Sequence, residues 1–353
     1  MSPQAGAGVS PQAGAGAGPQ AGARAGAQAR AQAGPQAGTL AAVLAGGLSY
    51  EREVSLRSGR RVTEALNRAG VEAVQLDADA GLLARLAELA PDAVFIALHG
   101  SAGEDGALRD VLDLVGIPYV GSTAMASRLA WDKPCAKSAL TSAGLLTPAG
   151  VALPHPTFRE LGAAAVLERL LTRFGLPLMV KPAQGGSALG AHVVSRAEDL
   201  PAAMIGCFGY GDTALVERFV HGTEVAVSVL DDGTGPRALP AVEVVAVDGV
   251  NDYQARYTAG RSTWHAPARL PAEIAAELAA VAVRAHEVLG LRDLSRIDAI
   301  SDPQGQIFVL EANVAPGMTE TSLLPLAVRT AGLDLAAVCR DLVERAAART
   351  APG

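Results

Sequence analysis

Short apolar runs alternate with amphipathic stretches along the chain from residue 39 onward. The run TLAAVLAGG predicts a buried strand, and the segment after it predicts an amphipathic helix that Ser55 caps and Gly70 ends. The runs DAVFIALHG and IPYVGS predict two further strands with a helical stretch between them. This alternation predicts a parallel α/β unit over residues 39–121. Ligands of such sheets bind beyond the carboxyl ends of the strands, where Glu51 and His99 lie.

The rest of the chain divides into a tail and two further units. Residues 1–38 repeat Ala, Gly, Gln and Pro without an apolar face, which predicts a disordered tail. Residues 122–216 contain the helix-like WDKPCAKSALTSAG, the strand LPLMVKP and the glycine-rich QGGSALG. Residues 217–347 contain the strands LVERFV and EVAVSVL, a helix over 271–289, and terminal helices. The predicted fold class is therefore α/β, or α+β when the whole chain is considered.

Composition narrows the function classes. The net charge of −7 and the pI near 5.4 argue against a nucleic-acid partner, which usually requires a basic face. The three cysteines are far apart in sequence, so they suggest neither a zinc site nor a disulfide framework, and a reducing cytoplasm fits best. No run long enough to cross a bilayer is continuously apolar, so we expect a soluble protein without a membrane partner. Of 29 basic residues only Lys133, Lys137 and Lys181 are lysine, which singles these positions out.

The segment SRIDAISDPQGQIFVLEAN predicts an antiparallel hairpin, because two alternating apolar runs flank a Pro/Gly turn. With a turn over 302–305, Arg296 would lie opposite Glu311, and Asp298 and Asn313 would project to the same side. Two carboxylates and an amide oxygen are ligands that magnesium accepts, and the arginine could stabilise an oxyanion or a transferred phosphoryl group. The alternative is a structural, salt-bridged hairpin face.

Three other segments each allow a functional and a structural interpretation. The strand end and loop VKPAQGGSALG could approach phosphate oxygens, or could be an ordinary glycine-rich turn, and Lys133 by itself suggests a surface helix residue. The segment EANVAPGMTETSL could hold a carboxylate at a helix N-terminus, or could be an ordinary capped helix. Residues 248–266 predict a long loop with aromatic side chains that is suitable for a lid.

In their order along the chain, these motifs closely resemble those of the D-alanine–D-alanine ligase family of the ATP-grasp superfamily. The matching segments run from about residue 39 to 343: GGLSYEREVSLRSG, FIALHGSAGEDG, PYVGS, MVKP with its glycine-rich loop, DYQARY, RIDAI and EANVAPGMTETSLLP. The resemblance implies an N-terminal pre-ATP-grasp domain (39–121) that binds substrate and a two-part ATP-grasp fold. The two parts would be a central subdomain (122–216) and a C-terminal subdomain with the metal site and the lid (217–347).

The resemblance also implies roles for individual residues. ATP would contact Lys133, Lys181, Gly186, Ser187, Glu217, Glu224 and Arg256. Two Mg²⁺ or Mn²⁺ ions would bind to Asp298, Glu311 and Asn313. The amino-acid substrates would contact Glu51, His99, Tyr253, Tyr257, Arg296, Gly317, Ser322 and Leu323. The catalytic set would be Glu51, Ser187, Tyr257, Arg296 and Gly317.

In the reaction that the resemblance implies, ATP phosphorylates the carboxylate of one D-alanine, and the amine of a second D-alanine attacks the acylphosphate. A tyrosine at position 257 indicates a peptide former, since relatives that make a depsipeptide tend to have histidine there. Two positions depart from the family pattern: Arg256 replaces a lysine, and Gly185-Gly186-Ser187-Ala188 replaces EGSS. The alternatives are a paralog that joins other amino acids and a catalytically idle ATP-binding protein. The resemblance further implies a cytoplasmic homodimer.

Overall fold

A computed structural model describes residues 38–246 and 262–349. The predicted tail lies almost wholly outside this part of the chain. Tyr253, Arg256 and Tyr257 of the predicted lid also lie outside the described residues.

The N-terminal sheet has the strand order β2-β1-β3-β4, and all its pairings are parallel. The strands are β1 (Leu40–Ala45), β2 (Glu72–Asp77), β3 (Ala93–Ile96) and β4 (Tyr119–Val120). The accompanying helices are α1 (Arg52–Arg68), α2 (Leu82–Leu89), α3 (Ser101–Glu104) and α4 (Ala107–Val115). The predicted parallel α/β unit is therefore confirmed.

Ser55 does not cap α1, so that prediction was wrong. The helix begins earlier, with Glu51 at its N-cap position. The buried Ser55 hydroxyl accepts a hydrogen bond from the Gly46 amide at 2.9 Å and donates one to the Ala97 carbonyl at 2.8 Å. The serine therefore satisfies buried backbone groups beyond the ends of β1 and β3. These groups come close to Ser55 only when the sheet has folded.

The second sheet is antiparallel, with the order β5-β8-β6-β7. Its strands are β5 (Gly150–Pro154), β6 (Leu178–Pro182), β7 (His192–Val194) and β8 (Thr213–Arg218). The helices α7 (His155–Leu161), α8 (Ala163–Phe174) and α9 (Leu200–Phe208) belong to the same part of the chain. The predicted strand LPLMVKP is present as β6, so Lys181 lies near a strand end before the glycine-rich loop.

The third sheet has the order β12-β11-β9-β13-β14, and β10 pairs with β9. The strands are β9 (Thr223–Asp231), β10 (Pro236–Ala238), β11 (Val242–Ala246), β12 (Ser262–His265), β13 (Leu294–Ser301) and β14 (Ile307–Asn313). Three helices contribute to the apolar core on one face of this sheet: α5 (Ala124–Trp131), α6 (Lys133–Ser142) and α10 (Ala272–Val288). The predicted 271–289 helix is confirmed as α10.

The chain ends with α11 (Leu323–Thr330) and α12 (Leu335–Ala347), which join the first and third sheets. Buried residues of both helices pack in one apolar core with α1, β1 and β3. A buried ionic contact lies at the same junction: the Asp293 carboxylate accepts a hydrogen bond from the Gly121 amide at 2.7 Å and pairs with Arg349. This packing fixes the hairpin of the third sheet against the strand ends of the first.

The predicted hairpin is present, but its register differs from the expected one. The turn spans five residues, 302–306, and a bulge at Leu310 shifts the ladder. Asp298 therefore pairs with Glu311, and Arg296 pairs with Asn313. The expected pairing of Arg296 with Glu311 was wrong, because the longer turn and the bulge each shift the partner by one residue. The expected shared face is confirmed, since the two shifts together restore the parity.

No helix within residues 38–246 and 262–349 has the length and apolarity needed to cross a membrane.

Candidate active site

Two adjoining cavities lie where the three sheets meet. The inner cavity, of about 180 Å³, is lined by residues from the first and third sheets and from the glycine-rich loop. The outer cavity, of about 450 Å³, lies between the second and third sheets. Lys133, Asp298 and Glu311 line both cavities, so the two spaces meet at these charges.

The predicted site residues in the described part of the chain line one or both cavities. The inner cavity is lined by Glu51, His99, Lys133, Gly186, Ser187, Glu224, Arg296, Asp298, Glu311, Asn313, Gly317, Ser322 and Leu323. The outer cavity is lined by Lys133, Lys181, Gly186, Glu217, Glu224, Asp298 and Glu311. The fold thus brings together segments that are separated by more than two hundred residues in sequence.

The carboxylate of Glu51 is buried at the start of α1 and contacts the glycine-rich loop. Ser187, whose backbone φ is +53°, donates a hydrogen bond to Glu51 Oε1. Two glycines leave room for this carboxylate: a Cβ at Gly100 would lie 2.6 Å from Oε2, and one at Gly186 would lie 3.4 Å from Oε1. The hydroxyl lost at Ala188 relative to the EGSS pattern is therefore not the one that contacts Glu51.

His99 follows β3 and joins the first sheet to the segment after β14. Its Nδ1 lies 3.1 Å from the Ala315 carbonyl oxygen, which can only accept, so Nδ1 carries the proton. Its Nε2 therefore accepts a hydrogen bond from the Ser58 hydroxyl at 2.9 Å, and the oxygen of that hydroxyl accepts one from the Met318 amide at 3.1 Å. Burial lowers the pKa of His99 to about 4, so the imidazole is neutral at pH 7. Both ring nitrogens form hydrogen bonds with protein groups, and the histidine therefore positions the loop around Gly317.

The shared face of the hairpin carries one cation and two carboxylates. Arg296 contacts Asp298 through two hydrogen bonds of 2.7 and 2.8 Å, and Lys133 Nζ lies 3.5 Å from Glu311 Oε2. Burial by itself would lower the pKa of Arg296, but the charge and hydrogen bonds of Asp298 raise it overall. The Asn313 amide is oriented by the Ala315 N–H, which donates to its Oδ1 at 2.8 Å.

This hairpin face offers oxygen ligands for a hard divalent cation. Asp298 and Glu311 lie directly opposite each other, with Asn313 two residues further along β14. In the described part of the chain no group of three or more His, Cys, Asp or Glu residues is placed to hold a metal. A cation site here would therefore depend on the Asn313 amide and on oxygens from a bound ligand. Such a mixed set is the usual arrangement for Mg²⁺ that also binds phosphates.

The segment after β14 ends at the N-terminus of α11. Ser322 occupies the N-cap position, and its Oγ accepts a hydrogen bond from the Thr319 amide at 3.0 Å. A Cβ at Gly317 would lie 2.7 Å from Ser322 Oγ, so a larger residue would displace this hydroxyl. Leu323 is the first residue of α11, so its amide lies at the N-terminus of the helix. A hydroxyl and the first-turn amides of a helix beside Gly317 are suited to bind a carboxylate.

The outer cavity carries two lysines and a buried carboxylate. Lys133 is only 8% exposed, so its interpretation as a surface residue was wrong; its Nζ donates to the Gly185 carbonyl at 2.6 Å. Lys181 Nζ lies 2.9 Å from Glu217 Oε2. Glu224 lies on β9 and lines both cavities. Two ammonium groups beside a glycine-rich loop are suited to bind phosphates.

Two protein-family models match this chain. The model described as "D-ala D-ala ligase C-terminus" matches residues 140–344, and "D-ala D-ala ligase N-terminus" matches residues 83–122. The chain belongs to the D-alanine–D-alanine ligase family. The family resemblance drawn from the ordered motifs is thereby confirmed, and so is the assignment of the protein as an ADP-forming ligase.

Curated relatives and solved structures agree with this family. A D-alanine–D-alanine ligase of Pelotomaculum thermopropionicum is 42% identical over 298 residues, covering 84% of this chain and 93% of the relative. The VanG D-Ala:D-Ser ligase of Enterococcus faecalis has a TM-score of 0.75 at 26% identity, covering 88% of this chain and 100% of that structure. A D-alanine–D-alanine ligase of Bacillus anthracis complexed with ATP has a TM-score of 0.69 at 27% identity, covering 88% and 96%. The predicted ATP-grasp fold is confirmed.

Two charged residues of the site, Glu104 and Lys137, have no role that could be predicted from the sequence. Glu104 lines the inner cavity, and its Oε1 accepts a hydrogen bond from the Gly100 amide at 2.9 Å. Burial, with the nearby charge of Glu51, raises the pKa of Glu104 to about 8. Lys137 lies 2.6 Å from Glu217 Oε1, and burial lowers its pKa to about 8. The scarcity of lysine and the four-residue spacing from Lys133 were the available signals for Lys137.

Proposed function

We propose that this ligase joins two molecules of D-alanine into D-alanyl-D-alanine and converts ATP into ADP and phosphate. The product would supply peptidoglycan precursor synthesis. The carboxylate of the first D-alanine would attack the terminal phosphate of ATP and form an acylphosphate. The amine of the second D-alanine would then attack the acyl carbon, and phosphate would leave.

The observation that carries the proposal is the meeting of the two cavities at Lys133, Asp298 and Glu311. An acyl phosphorylation requires the terminal phosphate of a nucleotide and a carboxylate to lie side by side. The outer cavity has the lysines and glycine-rich loop that suit a nucleotide. The inner cavity has the buried Glu51 carboxylate, Arg296 and the N-terminus of α11, which suit amino acids.

At the nucleotide end, Lys133 and Lys181 would bind phosphate oxygens, and Glu217 and Glu224 would line the rest of the site. Gly186 and Ser187 belong to the loop that covers it. Asp298, Glu311 and Asn313 would hold Mg²⁺ or Mn²⁺, since hard oxygen ligands that face a phosphate site fit such ions. When bound, the cations neutralise phosphate charge and polarise the phosphoryl group.

At the amino-acid end, Glu51 would bind the ammonium group of the first substrate, and Ser187 would fix the position of that carboxylate. Arg296 and the Gly317 amide would stabilise the oxyanion that forms at the attacked acyl carbon. Ser322 and the Leu323 amide would bind the carboxylate of the second substrate. His99 would act through its contact with Ala315, which orients the Gly317 loop.

The roles of Tyr253, Arg256 and Tyr257 are part of the same proposal. We propose that their segment closes over the cavities, because an acylphosphate must be shielded from water. Arg256 would provide a charge at the terminal phosphate, with a reach and shape that differ from those of lysine. We also propose that the enzyme acts in the cytoplasm, where ATP is available, and that it is a homodimer. Light scattering of the purified protein would test the dimer.

The decisive experiment measures phosphate release by the purified protein with ATP, Mg²⁺ and a panel of single and paired amino acids. Mass spectrometry would identify the products. The proposal requires D-alanyl-D-alanine as the dominant product, with ADP formed in equal amount. A higher kcat/KM with any other amino acid pair would overturn it. ATP binding without turnover of any pair would favour the idle ATP-binding alternative.

A second candidate is a ligase that joins D-alanine to a different second amino acid. Its support is the structural similarity to the VanG D-Ala:D-Ser ligase. The panel should therefore include D-serine together with D-alanine. A mixed dipeptide in excess over D-alanyl-D-alanine would identify this second function.

A further inference from the structure

Lys137 occupies a buried position behind the nucleotide site and lines neither the inner nor the outer cavity. It lies one helical turn after Lys133 on α6, so both side chains leave the helix on the same face. Lys133 reaches the cavities, whereas the Lys137 ammonium ends at Glu217. Lys137 therefore has no direct access to the space where a nucleotide would bind.

Glu217 is shared between two lysines. Its Oε1 lies 2.6 Å from Lys137 Nζ, and its Oε2 lies 2.9 Å from Lys181 Nζ. The carboxylate is 1% exposed, so it must be compensated by charges from the protein. Burial by itself would raise the pKa of Glu217, but Lys181 and Lys137 outweigh it and lower the pKa overall.

The group formed by Lys137, Glu217 and Lys181 has two positive charges and one negative charge. Lys181 and Glu217 both line the outer cavity, whereas Lys137 does not. If Lys137 were absent, the carboxylate would have Lys181 as its remaining lysine partner. The charge of Lys181 would then be cancelled within the protein, and its existing contact with Glu217 would become stronger at the expense of contact with a phosphate.

We propose that Lys137 is a positioning residue for the nucleotide, which holds Glu217 in place and leaves the positive charge of Lys181 available to phosphates. This inference rests on the proposed assignment of the outer cavity to ATP. It extends that assignment to a residue that touches no substrate. All three lysines of the chain would then serve one site.

The test compares the affinity of Lys137 variants for a non-hydrolysable ATP analogue with Mg²⁺, measured by titration calorimetry. Lys137→Met removes the charge and keeps most of the side-chain length, whereas Lys137→Arg keeps the charge. Leu140→Val is the matched structural control, because Leu140 is a buried residue of the same helix that packs in the apolar core. Thermal melts of all variants would report their stability.

We expect Lys137→Met to weaken binding of the analogue by about 10- to 100-fold, the range seen when the partner of a metal-binding residue is removed. Lys137→Arg should recover most of that loss. Leu140→Val should lower the Tm and change the affinity by less than about twofold. In steady-state assays Lys137→Met should raise the KM for ATP more than it lowers kcat.

Several results would overturn the positioning role. These are wild-type affinity in Lys137→Met, an equal loss in Lys137→Arg, and a comparable loss in Leu140→Val. If Lys137→Met does not fold, the Lys137→Arg and Leu140→Val pair remains decisive, because near wild-type affinity in the arginine variant is required. Calorimetry with the ATP analogue is independent of which amino acids are joined. A failure of the D-alanine assignment would therefore leave this test unaffected.

Discussion

Asp298 and Glu311 lie directly opposite each other on β13 and β14. They do so because Leu310, which lies between this pair and the turn, bulges out of the ladder. On the turn side of the bulge, Ala299 pairs with Val309. A regular continuation would place Leu310 opposite Asp298 and would turn Glu311 toward the apolar core. The bulge thus brings both carboxylates into the space that the two cavities share, in line with the occurrence of bulges beside active sites.

The carboxylate pair should be essential for turnover. We expect Glu311→Gln and Asp298→Asn to lower kcat by about 100-fold or more, since even the partners of metal ligands contribute about 10- to 100-fold. Phosphate release with ATP, Mg²⁺ and D-alanine would measure the loss, and circular dichroism would confirm the fold. Glu277→Gln on the exposed face of α10 is the control and should leave kcat unchanged. Retained activity in either variant would remove the metal assignment.

The bulge makes a specific prediction for deletions in β14. Removing Leu310 should give a regular ladder with Asp298, Glu311 and Asn313 still on one face, so turnover should persist. The KM for ATP should rise, because Leu310 lines the outer cavity. Removing Ala312 instead should turn Asn313 toward the core and abolish turnover. Equal activity of the two deletion variants would contradict this account of the register.

Gly100 should control the affinity for the first amino acid through Glu51. Gly100→Ala would place a Cβ 2.6 Å from Glu51 Oε2 and would strain a backbone at φ +71°. Gly144→Ala is the matched control, since Gly144 also has a positive φ of +85° but has open space around it. Both substitutions should cost about 1–3 kcal/mol of stability. Only Gly100→Ala should raise the KM for D-alanine, by about 10- to 100-fold; a similar rise in Gly144→Ala would refute the steric explanation.

His99 should make stability depend on pH below neutrality. Its pKa is lowered from 6.5 to about 4 in the folded protein, so the unfolded chain binds more protons between these values. The stability contributed by neutral His99 is present above pH 6.5 and is lost as the pH falls toward 4. The loss is roughly 3 kcal/mol, at about 1.4 kcal/mol per pKa unit.

Urea unfolding at a series of pH values would measure this dependence in the wild type and in His99→Gln. Glu104 contributes with the opposite sign, because its raised pKa lowers stability as the pH rises from 4.5 to about 8. The difference between the two proteins isolates the histidine, since both retain Glu104. An unchanged slope between pH 4 and 6.5 in the variant would exclude this role for His99.

Several features of the site could be predicted from the amino-acid sequence alone. The strand β6, the helix α10 and the hairpin follow from local patterns of apolar and polar residues, because these patterns are set by the period of each element. The order of the motifs indicated the family. The same patterns led to the wrong cap at Ser55 and to a surface position for Lys133. In both cases a partner of the side chain is distant in sequence: Ala97 for Ser55 and Gly185 for Lys133.

The sequence by itself determined which residue types are available and on which face of a strand or helix they lie. Period-two alternation alone places Arg296 with Asp298, and Glu311 with Asn313. Tertiary structure decided the rest: the five-residue turn and the bulge at Leu310, the contact of Ser187 with Glu51, and the position of Lys137 behind Glu217. These features depend on burial and on contacts between separate sheets, where the cost of an unpaired buried charge selects the partners. No local window of the sequence contains that information.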